Sequence, residues 1–197
     1  MPSPPPNPPL GRPREASIDR AVLKTTRSLL RRHGYEALSI EGVAKAAGVA
    51  KTSIYRRWST KPSLVFAAVF GSSREVEFTH TGRLARDLVQ PVRALCDEFA
   101  SPEARAALPA LLPLFMSDRV LRGEVEQQLL LPERARVREL LEAAQERGEL
   151  RAHVDLELVL DQLIGTVFYR TITGASVDAT LAERIVELTL AGVIKSR

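Results

Sequence analysis

The chain contains 197 residues, of which 45% are hydrophobic and 26% are charged, and its formal net charge is +4 at neutral pH. This length allows one domain or two small ones, each with room for a hydrophobic core. Cys96 is the only cysteine, which excludes an internal disulfide. The proline-rich start lacks the apolar core of a signal peptide, and the longest uncharged apolar run, residues 106–116, is too short to span a bilayer. We therefore expect a soluble, cytoplasmic protein without a membrane partner.

Seven of the 13 prolines lie in residues 1–14, and a segment of this composition cannot bury enough apolar surface to fold. We predict a disordered tail there. The rest of the chain shows no strand pattern, because its apolar residues recur every three or four positions, as they do in helices. The sequence thus predicts an all-α protein of about nine helices, the first of them from Ser17 to Gly34.

The stretch 39–58, SIEGVAKAAGVAKTSIYRRW, predicts two short helices joined by a tight turn. Ser39 is a candidate N-cap with Glu41 in the first turn, and Gly48 suits the end of the first helix. The same pattern also occurs in helical proteins that never bind DNA. Here, however, the second helix carries hydroxyls and cations, which are the groups that bind base edges and phosphates in the major groove. They belong to Lys51, Thr52, Ser53, Tyr55 and Arg56.

The charge distribution favours DNA binding. Residues 12–62 contain twelve Lys and Arg against four acids, a net charge of +8, whereas the rest of the chain sums to −4. No carboxylate occurs between Glu41 and Glu75. A basic N-terminal part on a mildly acidic remainder indicates a polyanionic partner for that part alone.

These residues resemble the DNA-binding domain of the TetR/AcrR family of transcriptional regulators. The resemblance runs from residue 11 to about residue 70 and is carried by HGYEALSIEGVAKAAGV at 33–49, KTSIYRRW at 51–58 and STKPSLVFAAV at 59–69. It implies a three-helix helix-turn-helix domain over residues 15–72, a fourth helix capped by Thr60, and double-stranded DNA as the partner. One departure is Ala50, where a serine commonly caps the recognition helix, so a capping loss of ~1 kcal/mol is expected.

Further DNA contacts are expected around this helix. Lys61 lies near the start of the fourth helix, where backbone N–H groups already attract an anion. Arg12 and Arg14 precede the first helix and either enter a minor groove or attract DNA non-specifically. Arg56 either reads a guanine or binds a phosphate, and the resemblance implies that Tyr55 touches phosphate. The predicted DNA-binding set is Ser39, Lys51, Thr52, Ser53, Tyr55, Arg56, Lys61, Arg12 and Arg14.

Residues 80–195 predict a second helical domain. We expect a helix over 81–100 that is broken or begins near Pro91, a proline-punctuated segment, and one long helix over 118–147 with Pro132 inside it or kinking it. The segment 147–174 resembles a C-terminal domain type of the same family. That resemblance implies a ligand-sensing domain and a homodimer formed by the last two helices, near 155–173 and 178–196. The candidate interface residues are Leu163, Ile164, Gly165, Phe168, Ile185 and Leu188.

An effector-binding cavity would require large apolar side chains, and the lining available in the C-terminal half is mostly apolar and aromatic. We therefore expect a hydrophobic or amphipathic small-molecule effector. The same residues serve equally well as plain core, which leaves a constitutive DNA-binding or architectural dimer as the alternative function. The candidate lining residues are Phe78, Leu88, Phe99, Leu112, Phe115, Met116, Leu140 and Phe168.

Signals for catalysis are weak. His33, His80 and His153 follow no metal-ligand spacing with Cys96, and the chain contains no nucleophile elbow, phosphate-binding loop or dinucleotide fingerprint. Neither a metal, a cofactor nor an enzymatic activity is predicted. The sequence instead predicts a DNA-binding transcriptional regulator, and most simply a repressor that binds a palindromic operator as a dimer and is released by its effector.

Overall fold

The computed structural model describes residues 12–71, 80–151 and 153–194, with side chains from residue 16 onward. The described elements are α-helices, one π-helical turn and a single antiparallel bridge between Leu150 and Ile194, so the predicted all-α class is confirmed. The first four helices are α1 (Arg12–Ala37), α2 (Ile40–Ala47), α3 (Lys51–Tyr55) and α4 (Lys61–Phe70). The next six are α5 (Leu84–Ala100), α6 (Pro102–Ser117), α7 (Arg119–Val125), α8 (Leu131–Glu146), α9 (Leu156–Ile172) and α10 (Leu181–Val193).

Helix α1 begins earlier than Ser17. The backbone of Arg12 and Arg14 lies in its first turn, so the helical part of the chain reaches back into the predicted tail of residues 1–14. Residues 1–11 lie outside the described residues. The regular helix ends at Gly34, whose φ of 74° is open to glycine and costly for other residues, and this allows the chain to turn toward α2.

Two prolines affect the C-terminal helices differently from the sequence-based expectation. Pro91 lies buried inside α5 and does not break it. The long helix expected over 118–147 is divided into α7 and α8 by a π-helical turn, Glu126–Leu130. Pro132 follows directly, at the second position of α8. A proline has no N–H for the carbonyl four residues earlier, and that carbonyl, of Gln128, belongs to the widened turn.

The buried side chains form two clusters, and the boundary between the clusters does not coincide with the boundary between the two domains. One cluster contains the helix-turn-helix together with apolar residues of α6 and α7. The other is built from α5, α8, α9 and α10. Three short helices bury too little surface to be stable alone, so the N-terminal module completes its core with two helices of the C-terminal domain. The residues that those two helices supply are Ala104, Ala107, Leu111, Leu121 and Val125.

A chain of phenylalanines connects the two clusters. The ring centroids of Phe70 in α4 and Phe99 in α5 lie 4.9 Å apart, and Phe99 meets Phe168 of α9 edge-on at 6.2 Å. Phe66 packs against both Phe70 and Phe115 of α6. Such pairs contribute beyond their buried area, so the aromatic chain ties α4 to the helices of the second cluster.

A buried carboxylate fixes the entry into α5. Asp87 accepts hydrogen bonds from the backbone N–H of Thr81 at 3.0 Å and of Gly82 at 3.1 Å, and from the Thr81 hydroxyl at 2.5 Å. Burial by itself raises the pKa of Asp87, but these hydrogen bonds outweigh it and hold the pKa below its ordinary value. The charged carboxylate therefore stabilises the fold.

Replacing this carboxylate tests its contribution. A group whose folded pKa is depressed stabilises the fold above its unfolded pKa of about 3.9, and the contribution is lost as the pH falls through the folded pKa. We expect Asp87→Asn to lower the free energy of unfolding by about 1–3 kcal/mol at pH 7, with the deficit shrinking below pH ~4. Urea titrations at both pH values measure this, with Asp97→Asn on the exposed side of α5 as the control. A deficit independent of pH would contradict the assignment.

Candidate nucleic-acid interface

Local sequence explains how α2 and α3 hold their angle. Ser39 caps α2, because its side chain accepts the Gly42 N–H at 3.1 Å. Gly48 ends α2 with φ 67° and ψ 31°, the left-handed conformation expected of a terminal glycine. Ile54 of α3 is fully buried against the N-terminal core, so the opposite face of α3 points outward.

The outward face of α3 carries the predicted contact residues. Lys51, Thr52, Tyr55 and Arg56 are exposed, and Ser53 is half-buried. Ala50 provides no side-chain hydrogen bond to the start of α3, as its identity requires. The five residues of α3 therefore depend on the packing of Ile54 and on the preceding turn for their position.

The start of α4 adds a second polar group beside α3. Thr60 and Ser63 form a reciprocal capping box, with the Ser63 N–H donating to the Thr60 hydroxyl at 3.2 Å and the Thr60 N–H to the Ser63 hydroxyl at 3.1 Å. The ammonium of Lys61 lies 4.2 Å from the centroid of the Tyr35 ring and 3.3 Å from the Glu36 carbonyl oxygen. Burial and, secondarily, the Glu36 charge raise the pKa of Tyr35, so its ring is a neutral platform for this cation.

Two contacts at this surface are not evident from the sequence. The Lys51 ammonium is bound to the Glu41 carboxylate of α2, and it lies 5.4 Å from the centroid of the Tyr55 ring. Hydrogen bonding between the two groups raises the pKa of Lys51 and lowers that of Glu41, so both stay charged. Arg57, at the end of the recognition segment, is ion-paired with Asp19 of α1. Both pairs join residues far apart in sequence, and no local pattern predicts them.

The remaining predicted DNA-binding residues are two arginines at the start of α1. Arg12 and Arg14 belong to the first turn of α1, and their side chains lie outside the described ones. The structure thus brings Lys51, Thr52, Ser53, Tyr55 and Arg56 together on α3, with Lys61 at the next helix start and Ser39 in a capping role. Which of these side chains touch bases or phosphates stays a prediction.

The residues predicted to line an effector cavity are scattered. Phe78 lies outside the described residues, Met116 is exposed, and Leu88 and Leu140 are buried in the second cluster. Leu112 is half-buried. The remaining three residues belong to the aromatic chain described above: Phe99, Phe115 and Phe168.

Two concave regions among the described residues have other walls. A slot of about 70 Å³ lies between α5, α8 and α9, lined by seven apolar side chains together with Glu133 and Arg134. An open groove of about 610 Å³ runs between α5 and α10, with Arg151 and Glu183 on its rim. None of the predicted lining residues belongs to either region.

The predicted interface residues on α9 and α10 separate into two groups. Leu163 and Ile185 are only 2% and 4% exposed and pack in the core of their own chain, so they support the outer surface from beneath. Gly165 and Leu188 are exposed, and Ile164 and Phe168 are half-buried. These four residues present surface to a second chain, and their place in a dimer interface stays a prediction.

Comparison with known proteins identifies the family. Residues 22–68 match the family described as bacterial regulatory proteins, tetR family, and residues 78–189 match the tetracyclin repressor-like C-terminal domain. The chain belongs to the TetR family. It is therefore a DNA-binding transcriptional regulator and not an enzyme, as the sequence predicted.

Relatives cover almost the whole chain. The chain is 29% identical over 185 residues to the HTH-type transcriptional regulator YdeS of Bacillus subtilis, covering 93% of each protein. It is 30% identical over 181 residues to the DNA-binding transcriptional repressor TetR of Mycobacteroides abscessus, covering 89% of this chain and 93% of that one. Among solved structures, the TetR family regulator SCO0332 matches with a TM-score of 0.74 at 30% identity, over 90% of this chain and 98% of that one.

Within the described residues, His, Cys, Asp and Glu side chains do not gather in groups of three that could bind a metal. No helix in the described ranges is long and apolar enough to cross a membrane.

The ion pair between Lys51 and Glu41 generates a testable prediction. Phosphate and Glu41 compete for the same ammonium, so we expect Glu41→Gln to increase affinity for any duplex several-fold. The gain should vanish in a Lys51→Met background if it acts through Lys51. Fluorescence anisotropy with a random duplex at several salt concentrations measures both effects, and Glu36→Gln controls for the loss of one negative charge. An equal gain in the two backgrounds would show that Glu41 repels DNA directly.

Proposed function

We propose that this TetR-family regulator is a repressor that binds a palindromic operator as a homodimer and is released by a hydrophobic or amphipathic small molecule. The observation that carries the proposal is the presence, in one chain, of two separate exposed surfaces. One is the exposed cationic and hydroxyl-bearing face of α3. The other is an exposed, largely apolar face of α9 and α10.

The face of α9 has the spacing of a helix-packing seam. Exposed residues recur at intervals of four and three, which keeps them on one side of the helix. Leu158 and Tyr169 are 55% and 65% exposed, and Leu188 on the neighbouring α10 is 75% exposed. Large apolar side chains exposed to this extent indicate an interface. The complete α9 stripe is Leu158, Gln162, Gly165, Tyr169 and Ile172.

Two glycines on this surface, one in the middle of α9 and one near the end of α10, favour close helix approach. A Cβ added to Gly165 or Gly192 meets no atom within 4 Å in the single chain. The space above both glycines is therefore open to a partner helix. A two-fold dimer through this face presents two copies of α3, and two identical reading helices require an inverted repeat in the DNA.

Effector release requires a site that differs between two conformations. The slot between α5, α8 and α9 is apolar, and Arg134 on its wall binds Asp161 of α9 at 2.8 Å and also contacts Glu157. At about 70 Å³ it is smaller than the ~300–1,000 Å³ of ordinary ligand pockets. An effector enters it only if these helices move apart, which gives the ligand the differential affinity that a switch needs. The fold neighbour FadR of Bacillus subtilis, 16% identical with a TM-score of 0.65, was crystallised with stearoyl-CoA, and it covers 88% of this chain and 98% of its own.

A second candidate function is a constitutive DNA-binding dimer. Phe99 packs against Phe168 of α9 and Phe70 of α4, and Phe115 of α6 packs against Phe66 of α4. These contacts favour the constitutive function, because aromatic side chains that pack on one another serve as core and do not form the wall of a cavity. The two candidates share the dimer and the operator and differ only in the effector.

The dimer is tested by Gly165→Arg. The substitution adds bulk and charge to a helical position with open space around it, so it should leave the single chain folded. We expect sedimentation to show a monomer and operator affinity to fall at least tenfold, because one half-site is lost. Gly123→Arg is the matched control for the sedimentation measurement, since its added Cβ also meets nothing within 4 Å on a helix outside this face. A dimeric Gly165→Arg protein would exclude this interface.

The effector is tested by linkage. If stearoyl-CoA releases the operator, operator DNA must weaken stearoyl-CoA binding by the same factor, about 5–150-fold for a coupling of 1–3 kcal/mol. Calorimetric titration of the protein with and without operator duplex measures this factor, with free coenzyme A as the control ligand. Equal stearoyl-CoA affinity in both titrations would favour the constitutive alternative for this ligand.

A further inference from the structure

A hydrogen bond crosses from the C-terminal domain to the segment that follows the recognition helix. The hydroxyl of Ser59 donates to Oε1 of Glu124 at 2.7 Å. Ser59 stands between α3 and α4, and Glu124 belongs to α7. The two residues are 65 positions apart, so only the tertiary fold brings them together.

The residues on both sides of Ser59 are held in place by the fold. Trp58 before it is buried in the N-terminal core, and Thr60 after it caps α4. The intervening residue therefore has little freedom of its own. A displacement of Ser59 moves the end of the recognition segment and the start of α4 together, and both are predicted to face DNA.

The environment of Glu124 makes this bond consequential. Its second carboxylate oxygen, Oε2, is buried and has no hydrogen-bond partner among the described residues. A fully hydrated carboxylate would exchange a serine for water at little cost, whereas a partly desolvated one depends on the donor that it retains. The Ser59 hydroxyl is that donor.

Helix α7 packs in the core of the DNA-binding module rather than in the second cluster of its own domain. Leu121 and Val125, on either side of Glu124, are buried in the cluster that contains α4 and the helix-turn-helix. A second link comes from α6, where Glu103 pairs with Arg31 of α1 at 3.3 Å. The π-helical turn Glu126–Leu130 begins two residues after Glu124 and leads into α8, which packs in the other cluster.

We propose that Glu124 is a positioning residue of DNA recognition: through Ser59 it fixes the orientation of the recognition helix relative to the C-terminal domain. A shift of α8 is transmitted through the π-helical turn to α7, and from Glu124 to the segment between α3 and α4. The regulatory part of this inference rests on the proposed function. The positioning part rests only on the dimer, because two reading helices must match two half-sites at once.

The effect of Glu124 on the orientation of the recognition helix can be separated from the effect of its charge on DNA. Glu124 lies near the start of α4, so removal of its carboxylate also reduces repulsion of phosphate, an effect that strengthens binding to every duplex. Glu124→Gln removes the charge but keeps an oxygen that accepts the Ser59 hydrogen bond. Glu124→Ala removes both the charge and the hydrogen-bond acceptor. Ser59→Ala removes the hydrogen-bond donor, and Ser59 is exposed, so this substitution leaves the core unchanged.

The experiment compares three duplexes for each full-length variant: an operator selected in vitro with the wild-type protein, a duplex holding one half-site, and a random sequence. Misorientation penalises only binding in which both half-sites are engaged. The ratio of full-operator to half-site affinity is therefore the readout, and a purely structural weakening of the fold would not change it. Glu139→Ala, at an exposed position of α8 outside the π-helical turn, is the control, and thermal melting verifies folding.

We expect Ser59→Ala and Glu124→Ala each to reduce this ratio by about 5–50-fold, within the usual range of coupling between sites. Half-site affinity should stay within about twofold, and the double variant should lose no more than either single one, because the two residues share one bond. Glu124→Gln should retain most of the wild-type ratio. Unchanged ratios in the two alanine variants, or equal losses on all three duplexes, would overturn the proposal. The preference of the wild-type protein for the full operator tests the dimeric repressor independently.

Discussion

The burial of α4 is the constraint on which the rest of the structure depends. Seven successive residues, 63–69, are buried in a helix of ten, so α4 is covered on every side. It is covered by α1 of its own module and by α6 and α7 of the C-terminal domain, and its two phenylalanines reach toward α5 and α6. A helix that is apolar all round is stable only when it is buried. The DNA-binding module is therefore not an independent unit attached by a linker, and its position is tied to that of the C-terminal domain.

Local sequence predicted the parts of the site that depend on local physics. The caps at Ser39 and Thr60, the left-handed glycine at position 48 and the burial of Ile54 each follow from residue type and helical spacing, and each is present in the structure. The missing cap at Ala50 follows in the same way. What local sequence could not predict is which distant side chains meet. Packing creates three such pairs, which are Glu41 with Lys51, Asp19 with Arg57, and Ser59 with Glu124. A count of residue types treats the two members of each pair as independent of each other.

A local sequence pattern does not show how distant residues pack, and this also limits the expectations for Pro91 and for the effector cavity. Pro91 suggested a break in α5, but a buried helix retains its course when neighbouring helices pack against it, and the loss of one N–H is tolerated. The large apolar residues of the C-terminal half suggested a cavity. Spacing identifies such residues as buried but does not show whether they face one another or an empty space. Here Phe99, Phe115 and Phe168 contact other rings, and the slot between α5, α8 and α9 is lined mainly by aliphatic residues. The effector cavity stays a prediction.

The acid-free run between Glu41 and Glu75 also changes its meaning once the chain is folded. In sequence it leaves the recognition helix with positive charge only, yet the fold brings Glu41 and Glu124 to the edges of that surface. A cation that is already paired gains less from a phosphate than a free one, because it gives up one partner for another. Non-specific attraction is thereby reduced more than specific binding, which depends on geometry and on base contacts. With these two carboxylates beside it, DNA binding by this surface depends less on non-specific attraction and more on the orientation of the recognition helix. A change in the C-terminal domain can alter that orientation.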